Sequence, residues 1–255
     1  MSENLPEKES IRLAKRLAEQ EQCSRREAEL HIEAGNVQVD GKLVLVPETR
    51  VHADQVVTLR HGAKPEAIPP VTILMNKPAG YTQGMAYGRV RSAHSLISEA
   101  TLAAIDTPMP LLVLPQHFKN LESFLTIPLP ASGLIVYTQD KRIARKLKEE
   151  GAWLEQELIV GVEGQIDEGG LELLQQGLPI PGGNGQRRMP PCHVSWQNES
   201  HLRFALKGIA PEEIETMCAA VGLTVTSLRR LRIGRVSLAK VPEGQWRYLM
   251  PWEKF

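Results

Sequence analysis

The feature that most constrains this 255-residue chain is a change of period close to Asn36. Ahead of it, apolar residues recur at helical spacing. Leu13 and Leu17 share one face, as do Ala14 and Ala18, so Ile11 to Glu21 reads as an amphipathic helix. Ser24-Arg25-Arg26-Glu27 then has the form of a capping box, in which the serine accepts from the backbone and the glutamate reaches back. Ala28 and Ile32 supply the inner face of the helix that follows, and Gly35 stands where helices commonly stop in a left-handed conformation. Past Asn36 the residues alternate. Val37-Gln38-Val39 leads into the hairpin signal Asp40-Gly41, Lys42 to Val46 reads as the return strand, and Asp54 to Leu59 as another. Two helices and a few strands make a very small module.

The remaining length is ample for a second, larger domain. Formal net charge is zero, so affinity for phosphate has to come from local basic faces. Cys23, Cys192 and Cys218 are scattered without CxxC spacing, which fits reduced thiols in a cytoplasm. Cys192-His193 lacks a second cluster to complete a metal site. Met1 to Ser10 is polar and acidic, unlike a signal peptide, and no apolar run approaches the roughly 20 residues that span a bilayer. The expectation is a cytoplasmic protein with no cofactor, no metal, no membrane contact and no obligate protein partner.

Residues 10–60 resemble the alpha-L RNA-binding domain first described in a small-subunit ribosomal protein. The matching residues are Ile11 to Lys15, Cys23 to Ala28, Ile32 to Val37, Val39 to Lys42 and Asp54 to Val57. The resemblance implies that Arg12, Lys15, Arg16, Arg25, Arg26 and Lys42 face structured RNA. Arg25 and Arg26 also sit at a helix N-terminus, where amide dipoles favour phosphate. A solvated charged face, with Glu19, Glu29 and Glu33 nearby, is the plainer reading of the same residues.

His61 to Pro70 carries Gly62, Pro65, Pro69 and Pro70 and reads as a stiff linker. Residues 71–255 then mix the two periods. Val71 to Met75 is a buried strand running into the Asn76-Lys77-Pro78-Ala79-Gly80 turn, and Leu134 to Tyr137 is another strand. Lys141 to Glu150 is a basic helix with Ile143 and Leu147 inward. Leu158 to Val162 and His201 to Leu206 read as strands, Leu171 to Gly177 and Pro211 to Ala220 as helices, and Thr224 to Val236 as strand-rich. Gly182-Gly183-Asn184-Gly185 reads as a mobile loop. Without a regular βαβ rhythm, the fold class is α+β.

This order of motifs resembles the RsuA/RluF-type pseudouridine synthases. It rests on Asn76 to Gly80, on Ser132-Gly133-Leu134 followed by Thr138-Gln139-Asp140, on Met217-Cys218 and Val221 to Leu223, and on Leu228-Arg229-Arg230-Leu231-Arg232-Ile233-Gly234 with Pro242 to Arg247. Ala86 to Leu125 matches poorly. The resemblance implies a mixed-sheet synthase fold acting on ribosomal RNA, with the target base flipped out of its stack. It also implies an aspartate in a GRLDxxTxGL loop, a tyrosine in a KxY strand and a basic partner in an EGxNRQxRRM segment.

Those groups are missing at the aligned positions. The aspartate falls on Pro128, the arginine on Thr126, the tyrosine on Glu157, and the basic segment becomes Lys207 to Met217 with Glu212, Glu213 and Glu215. Removing one member of a cooperating catalytic unit can cost on the order of a million-fold in rate, after which the others can drift. Asp140 is better placed as a helix N-cap, Asp106 as a turn residue before Thr107-Pro108, and Glu122 stays open as a displaced acid. Further candidate RNA contacts are Lys77, beside a proline that explains its turn equally well, and Arg230 with Arg232. These two would share one face of a regular strand, within a basic set that also holds Arg229 and Arg235. Trp246 reads as a packing anchor. The expectation is an RNA-binding protein with an impaired synthase site; the alternative is an active RNA pseudouridine synthase using a displaced carboxylate.

Overall fold

The computed structural model describes residues 10–104, 112–179 and 188–255. Asp106-Thr107-Pro108, Gly182 to Gly185 and the chain before Ser10 lie outside the described residues. The chain divides into two compact units. One comprises 10–70 with 112–119, the other 71–104 with 120–255. The stretch 112–119 therefore packs with the first unit, whereas the sequence suggested a continuous second domain from residue 71.

In the first unit, β1 (Ser10–Arg12) leads into α1 (Leu13–Glu21), followed by α2 (Arg25–Glu33), β2 (Val37–Val39), β3 (Lys42–Leu43), β4 (Arg50–His52) and β5 (Val57–Leu59). The first helix starts later than its periodicity suggests, because Ile11 pairs with Val51 as a strand. No side chain caps α1; the amides of Leu13 and Ala14 donate to the carbonyls of Thr49 and Pro47 instead. The second helix has its full capping box, with Ser24 N–H donating to Glu27 at 2.8 Å and Glu27 N–H to the Ser24 hydroxyl at 3.2 Å. It ends on Gly35 at φ +74°, and a Cβ there would also lie 2.6 Å from Leu112 Cδ2. Asp40 and Gly41, at φ 50° and 76°, turn the β2–β3 hairpin. The return strand is only Lys42–Leu43, shorter than the alternation implied. Leu13, Leu17, Ala28, Ile32, Val37 and Val51 form the buried core.

The second unit is built on one mixed sheet. Its strands are β6 (Thr72–Lys77), β7 (Glu122–Phe124), β8 (Ser132–Thr138), β9 (Gln156–Gly164), β10 (His193–Asn198), β11 (His201–Leu206), β12 (Leu223–Ile233), β13 (Val236–Ser237) and β14 (Trp246–Tyr248). The order across the sheet is β10-β11-β9-β12-β8-β6-β14, with β13 on β12 and β7 on β8. Only β12 and β8 run parallel among these pairs. Helix α3 (Lys141–Glu150) packs on β7 and β8, α4 (Gly170–Gln176) on β10, and α5 (Glu213–Ala219) on β12. A mostly antiparallel mixed sheet with a few short helices against it is an α+β arrangement. Asp140 is the N-cap of α3, its carboxylate accepting from Arg142 N–H at 2.8 Å. Trp246 is fully buried, donating to Ser98 O at 2.8 Å and edge-on to Tyr248, which is the role of a packing anchor.

Strand β8 takes β7 and β12 on one side, at opposite ends. The connection 125–131 between β7 and β8 is the stretch where the resemblance places an aspartate. Just past it, β8 meets β12 at a very close approach: a Cβ on Gly133, at φ +103°, would lie 2.2 Å from Arg230 O. Glycine is needed there for space as well as for backbone angle.

Candidate functional site

The N-terminal cations are on the surface, where sequence placed them. Arg12 and Lys15 are exposed and Arg16 half-buried along the start of α1; Lys42 is exposed beside the Asp40–Gly41 turn. Arg25 and Arg26 open α2 with more than half of each side chain exposed. They are engaged along their own helix. Arg25 meets Glu29 at 3.4 Å, Arg26 meets Glu29 at 3.4 Å and Glu33 at 3.9 Å, and Lys15 meets Glu19 at 3.9 Å. Exposed pairs of this kind contribute at most about 1 kcal/mol, so a phosphate can displace them. The helix N-terminus itself is already occupied by a carboxylate. The Ser24 hydrogen bonds hold Glu27 below its ordinary range, so the arginine side chains, not the amide dipoles, carry the anion-binding potential of this end.

Two candidate cations of the large domain, Arg230 and Lys77, behave in the opposite way. Arg230 has no exposed surface. Its Nε donates to Leu134 O at 2.8 Å, one terminal nitrogen to Gln156 Oε1 at 2.8 Å and the other to Leu125 O at 2.7 Å. Among the described residues no carboxylate lies within ion-pair distance of it. Burial pushes its pKa down to about 9, and it keeps its proton at neutral pH. Lys77 is equally buried, donating to the carbonyls of Pro78 at 3.0 Å, Tyr81 at 2.7 Å and Leu129 at 3.3 Å. Burial, then the neighbouring Arg230, push its pKa down to about 8, against a smaller opposing pull from Glu243. Two cations thus grip the 125–131 connection by its backbone, one at Leu125 and one at Leu129. Neither presents a side chain to RNA, which corrects the expectation for both.

Arg230 and Arg232 do not share a face. The β12–β9 register shifts between them: Arg230 lies opposite Leu158 and Arg232 opposite Glu157. That bulge inserts one residue and turns Arg230 inward while leaving Arg232 partly exposed. Arg232 contacts Glu155 and, through Nε at 3.0 Å, Glu157; Arg203 reaches Glu157 from β11 at 2.9 Å. Glu157 is therefore clamped between two guanidinium groups. Arg232 is a partner of that network, and Arg229 is the exposed arginine of this strand.

Sequence reasoning missed Leu125, Gln156 and Arg203. Leu125 occupies the first glycine position of the GRLDxxTxGL pattern and adopts φ 54° without being glycine. Such a conformation costs a non-glycine residue about 1–2 kcal/mol, and packing against Gly151 in the apolar cluster under α3 offsets it. The pattern held that signal. Arg203 was legible as an outward residue of an alternating strand, but its partner depends on the β11–β9 register, in which Ala205 faces Glu157. Thr126 is exposed and Pro128 half-buried, and Ala131 N–H closes a turn on Pro128 O at 3.0 Å. Glu122 is exposed in β7 just before this connection.

The comparisons with known proteins bear on both units. A family model described as the S4 domain matches residues 11–57. The dual-specificity RNA pseudouridine synthase RluF of Escherichia coli K12 is 29% identical over 241 residues, covering 94% of this chain and 76% of that protein. The chain is thus similar over nearly its whole length to RluF-type pseudouridine synthases, with an S4-type segment at its start. A putative chloroplastic ribosomal large subunit pseudouridine synthase of Arabidopsis thaliana, SVR1, is 31% identical over 229 residues, 88% of this chain and 54% of that protein. The fold agrees as well: a crystal structure of a pseudouridylate synthase superimposes with a TM-score of 0.58 at 18% identity, covering 94% of this chain and 96% of the other. Thr126 and Pro128 lie in the connection between β7 and β8, and Glu157 lies in β9.

Proposed function

We propose that this RluF/RsuA-type chain is an RNA-binding protein whose synthase cleft no longer isomerises uridine, acting on ribosomal RNA or its assembly. The observation that carries the reading is the 125–131 connection. A proline stands at the aspartate position, and the two buried cations beside it are satisfied by backbone carbonyls and the Gln156 side-chain amide. Pro128 can neither ionise nor act as a nucleophile. Glu157 at the tyrosine position offers no ring for stacking, and its negative charge is held by Arg203 and Arg232. The exposed Arg12, Lys15, Arg25, Arg26 and Lys42, with the half-buried Arg16, supply phosphate contacts that position RNA without reading bases. We take the setting to be cytoplasmic, in keeping with three thiols that form no disulfide. Among the described residues no helix is long and apolar enough to cross a membrane.

A second reading, an active RNA pseudouridine synthase with a displaced acid, has one specific support: Glu122 is exposed on the strand that enters the altered connection. Pseudouridine mapping of ribosomal RNA from cells with and without the protein separates the two. The expected result is an unchanged set of modified sites. Loss of one site on deletion, restored by the intact chain and not by Glu122→Gln, would establish the second reading.

A further inference from the structure

Residues 82–92 match the family poorly over most of their length, yet they form an ordered arm. Thr82 N–H donates to Arg91 O at 2.9 Å and Ala93 N–H to Thr82 O at 2.7 Å. Tyr87 and Val90 exchange backbone hydrogen bonds at 3.2 and 2.9 Å around Gly88-Arg89, closing a two-residue hairpin turn. The Ser92 hydroxyl braces the arm on Gly84 O at 2.6 Å. Its root is fixed in the second unit. Gln83 is buried and donates to Phe124 O at 2.9 Å and to the Ser123 hydroxyl, and the Tyr137 hydroxyl donates to Gln83 O at 2.8 Å. Phe124 immediately precedes the 125–131 connection, so the arm springs from beside the altered loop.

What the arm presents is unusual for a solvent face. Met85 is 89% exposed and Tyr87 60%. Arg89, Arg91 and His94 are exposed beside them. Neither arginine has a carboxylate within ion-pair distance among the described residues, and no aspartate or glutamate occurs from residue 67 to residue 98. In a chain with zero net charge this is a run of sequence without acids that carries two exposed arginines and an exposed ring. Arg25 and Arg26, by contrast, are already paired with glutamates. Unpaired arginines flanking an exposed tyrosine match a single nucleic-acid strand, whose phosphates take the cations while a base takes the ring. A perfect duplex keeps its bases stacked inside and offers no free face to Tyr87.

We infer that the 82–92 arm is a second RNA contact that takes an unpaired segment, one base stacking on Tyr87 and the flanking phosphates meeting Arg89 and Arg91. The inference rests on the RNA-binding reading given above. Ring and cations act together: stacking tolerates any base, so the arm adds grip near the altered loop without sequence preference.

The test uses the full chain and two probes, a short single-stranded oligouridine and purified ribosomal RNA. Arg89→Glu with Arg91→Glu should weaken oligouridine binding by about 10-fold or more, and Arg89→Ala with Arg91→Ala should flatten its salt dependence by about 1.4 in log–log slope. Tyr87→Ala should weaken it by roughly 5- to 100-fold while Tyr87→Phe keeps the affinity, because stacking needs the ring and not the hydroxyl. All these side chains are exposed, so the melting temperature should not move. Wild-type binding to ribosomal RNA with none to oligouridine, or affinities in these variants equal to wild type, would overturn the inference and leave the RNA-binding reading standing. Failure of the wild-type chain to bind either probe would overturn both.

Discussion

Arg25 and Arg26 in the first unit and Arg230 in the second have opposite fates. Arg25 and Arg26 open a helix in water, each paired to a glutamate that phosphate can displace. Arg230 lies in the sheet with no solvent contact and no acid, its donors spent on two carbonyls and an amide. The same side chain is a surface cation in one place and a structural pin in the other. Basic residues in a sequence therefore cannot be summed into an RNA-binding face until burial is known. The contrast also bears on the 125–131 connection, because a loop pinned through its backbone needs no carboxylate to hold its shape.

The comparison is sharpest at Arg230. Arg230→Met leaves Leu125 O, Leu134 O and Gln156 Oε1 without donors in a buried site, at about 1–3 kcal/mol each before relief from losing the buried charge. A net loss of about 3 kcal/mol in urea unfolding is expected; a loss under about 1 kcal/mol would show that the guanidinium is no pin. Reversing both surface arginines, Arg25→Glu with Arg26→Glu, should do the converse. Affinity for ribosomal RNA should fall by roughly 10- to 100-fold while stability stays within about 1 kcal/mol. Unchanged affinity would remove that face from the RNA-binding reading.

The smallest expected effect is a pH dependence set by Lys77. Its folded pKa is about 8 against an ordinary 10.5, so above pH 8 the unfolded chain holds the proton more tightly than the folded one. Stability should therefore rise with pH from 8 to about 9, and Lys77→Met should flatten that rise. From about pH 9 Arg230, whose pKa is also pushed down to about 9, adds to the rise, while the buried Cys192 and Cys218 thiols, pushed up to about 11 and about 12, act in the opposite sense. A slope that survives Lys77→Met would assign the effect to another group.

Much of the fold was legible because it rests on local rules. The Ser24 capping box, the Gly35 stop, the Asp40–Gly41 turn and the Asp140 N-cap each depend on residues within a few positions of one another. The family motifs likewise located the 125–131 connection. The site was less legible. Ile11 has helical company in sequence yet pairs with Val51, because a distant strand offers its backbone partners. Arg230 and Arg232 alternate in sequence yet part company, because a bulge against β9 breaks the period of two.

The amino-acid sequence by itself determined the two small helices, their caps, the α+β character of the rest, and the absence of aspartate and tyrosine at positions 128 and 157. Only the tertiary structure decided which cations meet water. Charge is written in the side chain, but burial and partner are set by strand register, by the bulge in β12 and by the close approach at Gly133. These bring together residues as far apart as Leu125 and Arg230, a pairing that no local pattern encodes.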